Sequence, residues 1–190
     1  MRYLPKMEVM SIEVLMGDKD AATIWRGPLK GGVIRQFISD IEWMDLDYLI
    51  IDSPPDTGDE PLTVAQTILD AKALIVTTPL ELSLADVRKS INFCKKMNME
   101  VLGLVENMSG LTCPHCGKTI ELFKTMGGME TAKSEHVRLL GSLPIEPKVV
   151  RCGDDGNIDF LGDDKLEYNR AFGQIVDTIE KVLKNKNEKG

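Results

Sequence analysis

Two rhythms of apolar and polar positions alternate along this chain, one with the period of a strand and one with the period of a helix. Residues 8–16, EVMSIEVLM, are rich in β-branched side chains and partly alternating, which predicts a strand. In WRGPLKGGVIRQFISDIEW, Pro28 suits a first helical turn, and Ile34, Phe37, Ile38 and Ile41 then recur at helical spacing. Residues 46–52, LDYLIID, form a nearly continuous apolar run stopped by Pro54 and Pro55, the pattern of a strand buried on both faces. A helix over 61–70 follows, and then a second buried strand in AKALIVTTP. Ser83 is placed to cap the next helix, whose Leu84, Val87, Ile91 and Cys94 fall on one face. EVLGLVEN and VRLLGSLP supply two more buried strands. The last helix, over 165–184, carries Phe172, Ile175, Val176, Ile179 and Val182 at helical spacing before a polar tail, KNKNEKG.

Strands alternating with helices imply right-handed crossovers. The expected fold class is therefore α/β, a parallel β-sheet with helices on both faces, in a single domain over residues 1–190. The rhythm breaks once, in an insertion over 108–128 that contains the pair Cys113 and Cys116. Ligands of such sheets bind beyond the carboxyl ends of the strands, which puts Asp52, Thr77, Thr78 and Asn107 on the functional edge.

Composition narrows the function without naming it. With 190 residues, 43% of them hydrophobic, the chain has enough material for a real core. Its net charge of −7 and lack of a basic run argue against non-specific nucleic-acid binding. No apolar run approaches the ~18 residues of a membrane span. The start, MRYLPKMEVM, lacks the layout of a signal peptide, so the expected location is cytoplasmic. In that setting the four cysteines read as thiols or metal ligands, not as a disulfide framework.

A phosphate-binding P-loop requires G-x4-G-K-[ST], so that backbone N–H groups can wrap the phosphates while the lysine supplies charge. Two stretches imitate it. Gly117, Lys118 and Thr119 end correctly, but Thr112 occupies the first glycine position, with Cys and Pro inside the loop. LKGGVIRQ starts like a deviant Walker loop, but Ile34 and Arg35 stand where Gly-Lys is needed. Neither stretch is a P-loop.

In DYLIIDSPPDTGDEPLTVAQ, Asp52 ends a buried apolar run. That is the arrangement of a Walker B carboxylate, and equally of an ordinary acid closing a strand. With Pro54, Pro55, Thr57, Gly58 and Asp59 the segment resembles the Asp-x-Pro-Pro-Gly-Thr-Gly-Asp motif of the Mrp/ApbC family, MinD-like P-loop ATPases that carry iron–sulfur clusters. Further matches follow in family order: WRGP, SLADVRKSINFCKKMNMEVLGLVENMSG, the CPHCG insertion and LLGSLPIEPKV. The likeness spans about residues 8–156 and lacks the family's first strand and its Gly-rich loop. The chain thus resembles the later two-thirds of such a protein, truncated at the N-terminus. Asp56 stands where the family has Gly, and Asn157 and Ile158 where it has Lys-Pro. The resemblance implies that Asp52 holds the water shell of Mg²⁺, that Thr57, Gly58 and Asp59 sense the γ-phosphate, and that Asn107 hydrogen-bonds adenine. Without the resemblance, Asn107 reads as a turn residue.

Thiolates two residues apart can both reach one soft metal centre, and the intervening Pro-His makes a tight knuckle. A zinc ribbon would need a second knuckle, which this sequence does not contain. Two routes lead from two cysteines to the four ligands of tetrahedral zinc or a [4Fe–4S] cluster. One recruits His136 and Cys152, or His115, from the same chain. The other places Cys113 and Cys116 of two chains around a cluster on a two-fold axis. Spacing alone leaves the two metals evenly matched. The resemblance implies the second route: a homodimer holding a [4Fe–4S] cluster, controlled by ATP and Mg²⁺ and delivering to apo iron–sulfur proteins. The alternative is a non-catalytic nucleotide-fold module with structural zinc. Cys94 reads as core, Cys152 as loop, and His115 and His136 as surface. Met97, Met99, Met108, Met126 and Met129 read as packing for the insertion.

Overall fold

A computed structural model describes residues 2–12, 27–55, 57–113, 115–120, 122–123 and 127–187. The chain divides into two compact units, 1–71 and 72–190.

The first unit opens with a short antiparallel hairpin, β1 (Arg2–Leu4) with β2 (Met7–Glu8). Helix α1 (Gly27–Ser39) has Pro28 in its first turn, where the missing N–H of proline costs no hydrogen bond. Beyond its end, Trp43 Nε1 donates to the Phe37 carbonyl at 3.0 Å, and Met44 N–H donates to Glu8 Oε2 at 3.1 Å. Helix α2 (Asp59–Thr67) packs against α1. The approach is close because Gly31 has no side chain: a Cβ there would lie 3.0 Å from Thr63 Oγ1. Lys30 reaches across to Glu60 at 2.6 Å. That hydrogen bond, helped by one within the Glu60 backbone, holds the Glu60 carboxyl below its ordinary range.

Two sequence expectations fail in this unit. Residues 46–52 are not a strand: they have no regular structure, and Ile50 is 88% exposed. An apolar run becomes a strand only when a neighbouring chain takes up its N–H and C=O groups. Among the described residues of this unit the only strands are the short hairpin pair, which bond each other. Of the expected strand over 8–16, Glu8 alone among the described residues is in a strand, because Glu8 already pairs with Arg2 at the start of β1 and no partner continues beyond it. Its residues 13–16 lie outside the described residues, as do Trp25, Arg26 and Asp56.

In the second unit, three strands form the parallel sheet that the alternating rhythm predicts. They are β3 (Lys72–Thr77), β4 (Glu100–Glu106) and β7 (Leu139–Ser142), in the order β3-β4-β7. Helix α3 (Glu81–Lys96) crosses between β3 and β4. Successive residues of β4 face opposite sides, so Leu104 and Val105 enter different cores. Leu104 joins Ile75, Val87, Ile91 and Cys94 under α3. Val105 joins Leu140, Leu143 and Ile175 under the long C-terminal helix α6 (Glu167–Asn187). The α3 stripe is buried as its spacing predicts. Gly103 lets β4 and β7 meet, since a Cβ there would sit 2.5 Å from Leu140 Cγ and 2.8 Å from the Arg138 carbonyl oxygen.

Three details differ from expectation. Helix α3 begins two residues before Ser83, with Leu80 at the cap, so Ser83 is not the N-cap. Its Oγ instead accepts from Thr78 Oγ1 at 2.8 Å. Leu74 and Val76 of β3, expected to be buried, are 43% and 57% exposed on a strand at the edge of the sheet among the described residues. On α6, Phe172 and Val176 are also exposed, the helix burying Ile175 instead.

Candidate functional site

At the carboxyl edge of the sheet the chain brings together Thr77, Thr78 and Asn107. Asn107 follows the last residue of β4, and its N–H donates to the Thr77 carbonyl at 2.7 Å. Its side-chain Oδ1 accepts from Met108 N–H at 2.9 Å, while Met108 itself sits in the left-handed region at φ 58°. That bond to the next residue's N–H holds the Asn107 amide at the carboxyl edge of the sheet, where ligands of such sheets bind.

From that edge the insertion rises as a small hairpin, β5 (Leu111–Thr112) with β6 (Thr119–Ile120). Ser109 N–H donates to the Leu143 carbonyl at 2.9 Å and Ile145 N–H to the Gly110 carbonyl at 2.8 Å, which bonds its base to the chain leaving β7. Thr112 Oγ1 adds a tie to Glu167 of α6 at 3.0 Å. The cysteines sit at the tip. Cys113 N–H donates to the Lys118 carbonyl and Gly117 N–H to the Cys113 carbonyl, both at 2.9 Å. Gly117, at φ 70°, makes the reversal that a side chain would resist.

Hydrogen bonding from the main chain of His115, then from the main chain and thiol of Cys116, holds the Cys113 thiol below its ordinary range. A thiolate favoured by backbone donors is a ready metal ligand. Cys113 is half-buried, and Cys116 and His115 are exposed.

The groups that might complete a single-chain site are elsewhere. Cys152 is not in a loop but buried in helix α5 (Pro147–Asp154), whose amphipathic packing turns it inward. Cys94 is in the α3 core, where burial raises its thiol above the ordinary range. His136 is exposed, at φ 57°, just past helix α4 (Gly127–Ser134). Among the described residues no cluster of three or more His, Cys, Asp or Glu side chains is arranged to hold a metal ion. Met99 packs against the α3 core rather than the insertion, Met108 is exposed, and Met126 lies outside the described residues.

The remaining site candidates belong to the first unit. Asp52 and Thr57 are exposed. Gly58 is the N-cap of α2, and Asp59 and Glu60 put negative charge in its first turn, where the helix dipole favours it. The Asp59 carboxylate lies against Gly27 at the start of α1: a Cβ there would fall 1.8 Å from Oδ2. One residue escaped the sequence reading altogether. Glu106 ends β4 and is buried, an acid closing an apolar strand directly before the insertion.

Comparison with known proteins identifies the family. The family described as ParA, NUBPL iron-transfer P-loop NTPase, matches residues 2–180. The cytosolic Fe-S cluster assembly factor CFD1 of Kluyveromyces lactis is 47% identical over 183 residues, 92% of this chain and 64% of that protein. The iron-sulfur cluster carrier protein of Methanocaldococcus jannaschii is 45% identical over 177 residues, 92% of this chain and 61% of that protein. This chain thus spans about three-fifths of the length of such relatives. A nucleotide-binding protein of Archaeoglobus fulgidus, solved in complex with ADP, superposes with a TM-score of 0.64 at 38% identity, over 74% of this chain and 58% of that one. The cell division ATPase MinD of Pyrococcus furiosus shares the fold at 20% identity, with a TM-score of 0.56 over 83% of this chain and 59% of that one. With a parallel sheet of the MinD type, a Cys-x2-Cys knuckle at its carboxyl edge and a family match over nearly its whole length, this chain belongs to the NUBPL-type iron-transfer P-loop NTPases of the ParA group.

Proposed function

We propose that this chain is an iron–sulfur cluster carrier that holds a [4Fe–4S] cluster between two copies of itself as cargo. Cys113 and Cys116 of each copy supply the four thiolates. The observation that carries this reading is the knuckle: Cys113 and Cys116 share the tip of one hairpin, closed by Cys113 N–H on the Lys118 carbonyl and Gly117 N–H on the Cys113 carbonyl, with no group of three or more His, Cys, Asp or Glu side chains arranged to hold a metal among the described residues. A site with half of a ligand set, on an exposed hairpin, is completed most simply by symmetry. Its exposure also suits a carrier, since a recipient apoprotein must reach the cluster by ligand exchange. The names of the relatives, cluster carriers and assembly factors, support the same cargo.

On this reading nucleotide control requires a P-loop in addition to the residues present here. Asp52 would orient the Mg²⁺ water shell, Thr57, Gly58 and Asp59 would respond to the γ-phosphate, and Asn107 would meet the adenine. The donors that stabilise phosphoryl transfer come chiefly from a P-loop, and these 190 residues contain none. The purified chain should therefore show no Mg²⁺-dependent phosphate release. Robust turnover that disappears in Asp52→Asn would overturn this part of the proposal. The expected setting is the cytoplasm, as for relatives named cytosolic, and no helix among the described residues is long and apolar enough to cross a membrane.

Anaerobic reconstitution tests the cargo. It should yield about four irons per dimer, abolished by Cys113→Ala or Cys116→Ala and retained in Cys94→Ala. The knuckle geometry suits tetrahedral zinc as well. One tightly held zinc per monomer, indifferent to dimer dissociation, would establish a structural zinc module and refute the carrier.

A further inference from the structure

Glu106 is the last residue of β4 and only 3% exposed. Its two carboxylate oxygens serve opposite ends of the cysteine insertion. Oε1 accepts from Ser109 Oγ at 2.6 Å, where the insertion begins. Oε2 accepts from Gly128 N–H at 2.6 Å, where it closes into the first turn of α4, 22 residues along the chain from Glu106. Helix first turns carry N–H groups without intrahelical acceptors, so this bond satisfies a donor that would otherwise be buried unpaired. The approach depends on glycine: a Cβ at 128 would lie 2.6 Å from Oε2 and 3.2 Å from Cδ of Glu106. The main chain repeats the tie alongside, Leu143 N–H donating to the Glu106 carbonyl at 2.8 Å and Ser109 N–H to the Leu143 carbonyl at 2.9 Å.

We propose that Glu106 is a positioning residue, a two-ended clamp that seats the Cys113–Cys116 hairpin on the sheet edge and so sets how the two thiols are presented to the cluster. The inference rests on the carrier reading for the importance of that presentation, but the clamp itself stands on the two hydrogen bonds. A carboxylate is suited to the task because both of its oxygens accept. Alanine at 106 would release both ends and leave Gly128 N–H without its acceptor. Glutamine can keep both, with Oε1 accepting from Gly128 N–H and Nε2 donating to the Ser109 hydroxyl, which then acts as acceptor. Serine to alanine at 109 releases the leading end alone.

Hydrogen exchange and reconstitution of the full chain, in Glu106→Ala, Glu106→Gln and Ser109→Ala, provide the test. In Glu106→Ala the amides of Ser109, Cys113, Gly128 and Ile145 should exchange about tenfold faster or more, while those of Ile91 and Leu104 in the α3 core hold their protection. Glu106→Gln should stay near the parent. Iron bound after anaerobic reconstitution should pass to a chelator about tenfold faster from Glu106→Ala than from the parent or from Glu106→Gln. Unchanged exchange across the insertion, or equal acceleration of insertion and core, would overturn the clamp and leave Glu106 as ordinary core. If Glu106→Ala does not fold, Ser109→Ala decides on the leading end: the amides of Ser109, Cys113 and Ile145 should exchange faster while those of Ile91 and Leu104 do not, and unchanged exchange there overturns the clamp. A parent chain that binds no iron would refute the carrier reading instead, and the exchange comparison would still judge the clamp.

Discussion

The four cysteines should separate into two fast and two slow thiols, and the structure sets the size of the gap. Cys113 and Cys116 stand on the exposed hairpin. Cys94 is 4% exposed and packs with Ile91 and Leu104, both fully enclosed, so a reagent reaches it only when the α3 core opens. If that opening costs about 5 kcal/mol, the low end of ordinary domain stability, and each 1.4 kcal/mol is a factor of ten, Cys94 should react ~10³–10⁴-fold more slowly than Cys116. Cys152, 8% exposed in the short helix α5, should fall between them, since fraying of one helix costs less than opening the core. Ionisation widens the contrast. Main-chain donors hold the Cys113 thiol below its ordinary range, so its thiolate persists as pH falls below the usual thiol value and is lost only through its own lowered pKa. Burial pushes the Cys94 thiol up, so while the core stays closed the little reagent that reaches it meets a protonated thiol. The assay is timed alkylation of the native chain at a series of pH values, with each cysteine followed by peptide mass spectrometry. Alkylation of Cys94 within about tenfold of Cys116 would refute the packing argument. A Cys113 pH profile no lower than that of the urea-unfolded chain would refute the electrostatic one.

Other perturbations test the scaffold. Ile91→Ala removes a wholly buried side chain from the α3 cluster and should cost about 2–5 kcal/mol in urea unfolding; a loss below about 1 kcal/mol would mean the core is not packed as described. Glu146→Ala deletes the side chain that accepts from Lys148 N–H at the start of α5. It should cost about 1 kcal/mol and raise the alkylation rate of Cys152 while leaving Cys94 unchanged. Val76 is 57% exposed on an edge strand, so Val76→Lys should reduce self-association in light scattering; association that persists unchanged would place the sticky surface elsewhere.

The parts of this protein that sequence alone determined are those whose partners lie nearby or repeat with a local period. The α3 stripe of Leu84, Val87, Ile91 and Cys94 is buried because a helix places these residues on one face whatever it packs against. The knuckle was legible for a similar reason. Cys113, His115, Cys116, Gly117 and Lys118 make its hydrogen bonds among themselves, so the spacing of the cysteines already contains the geometry. Residues 46–52 show the opposite case. They have the composition of a buried strand but not its structure, because a strand needs a second segment to pair with, and composition does not say whether that neighbour is present. Ser83 looked like a cap, but the helix begins earlier and leaves its hydroxyl to Thr78. Cys152 looked like a loop thiol until α5 turned it inward. Glu106 is the most instructive of these. Its partners are Ser109, close by, and Gly128, far along the chain, and no pattern at position 106 announces that the two ends of the insertion return to the same carboxylate. Only the folded sheet edge, by bringing the start of α4 back against the end of β4, makes an acid at that position satisfiable, because a buried carboxylate is tolerated only where donors converge on it.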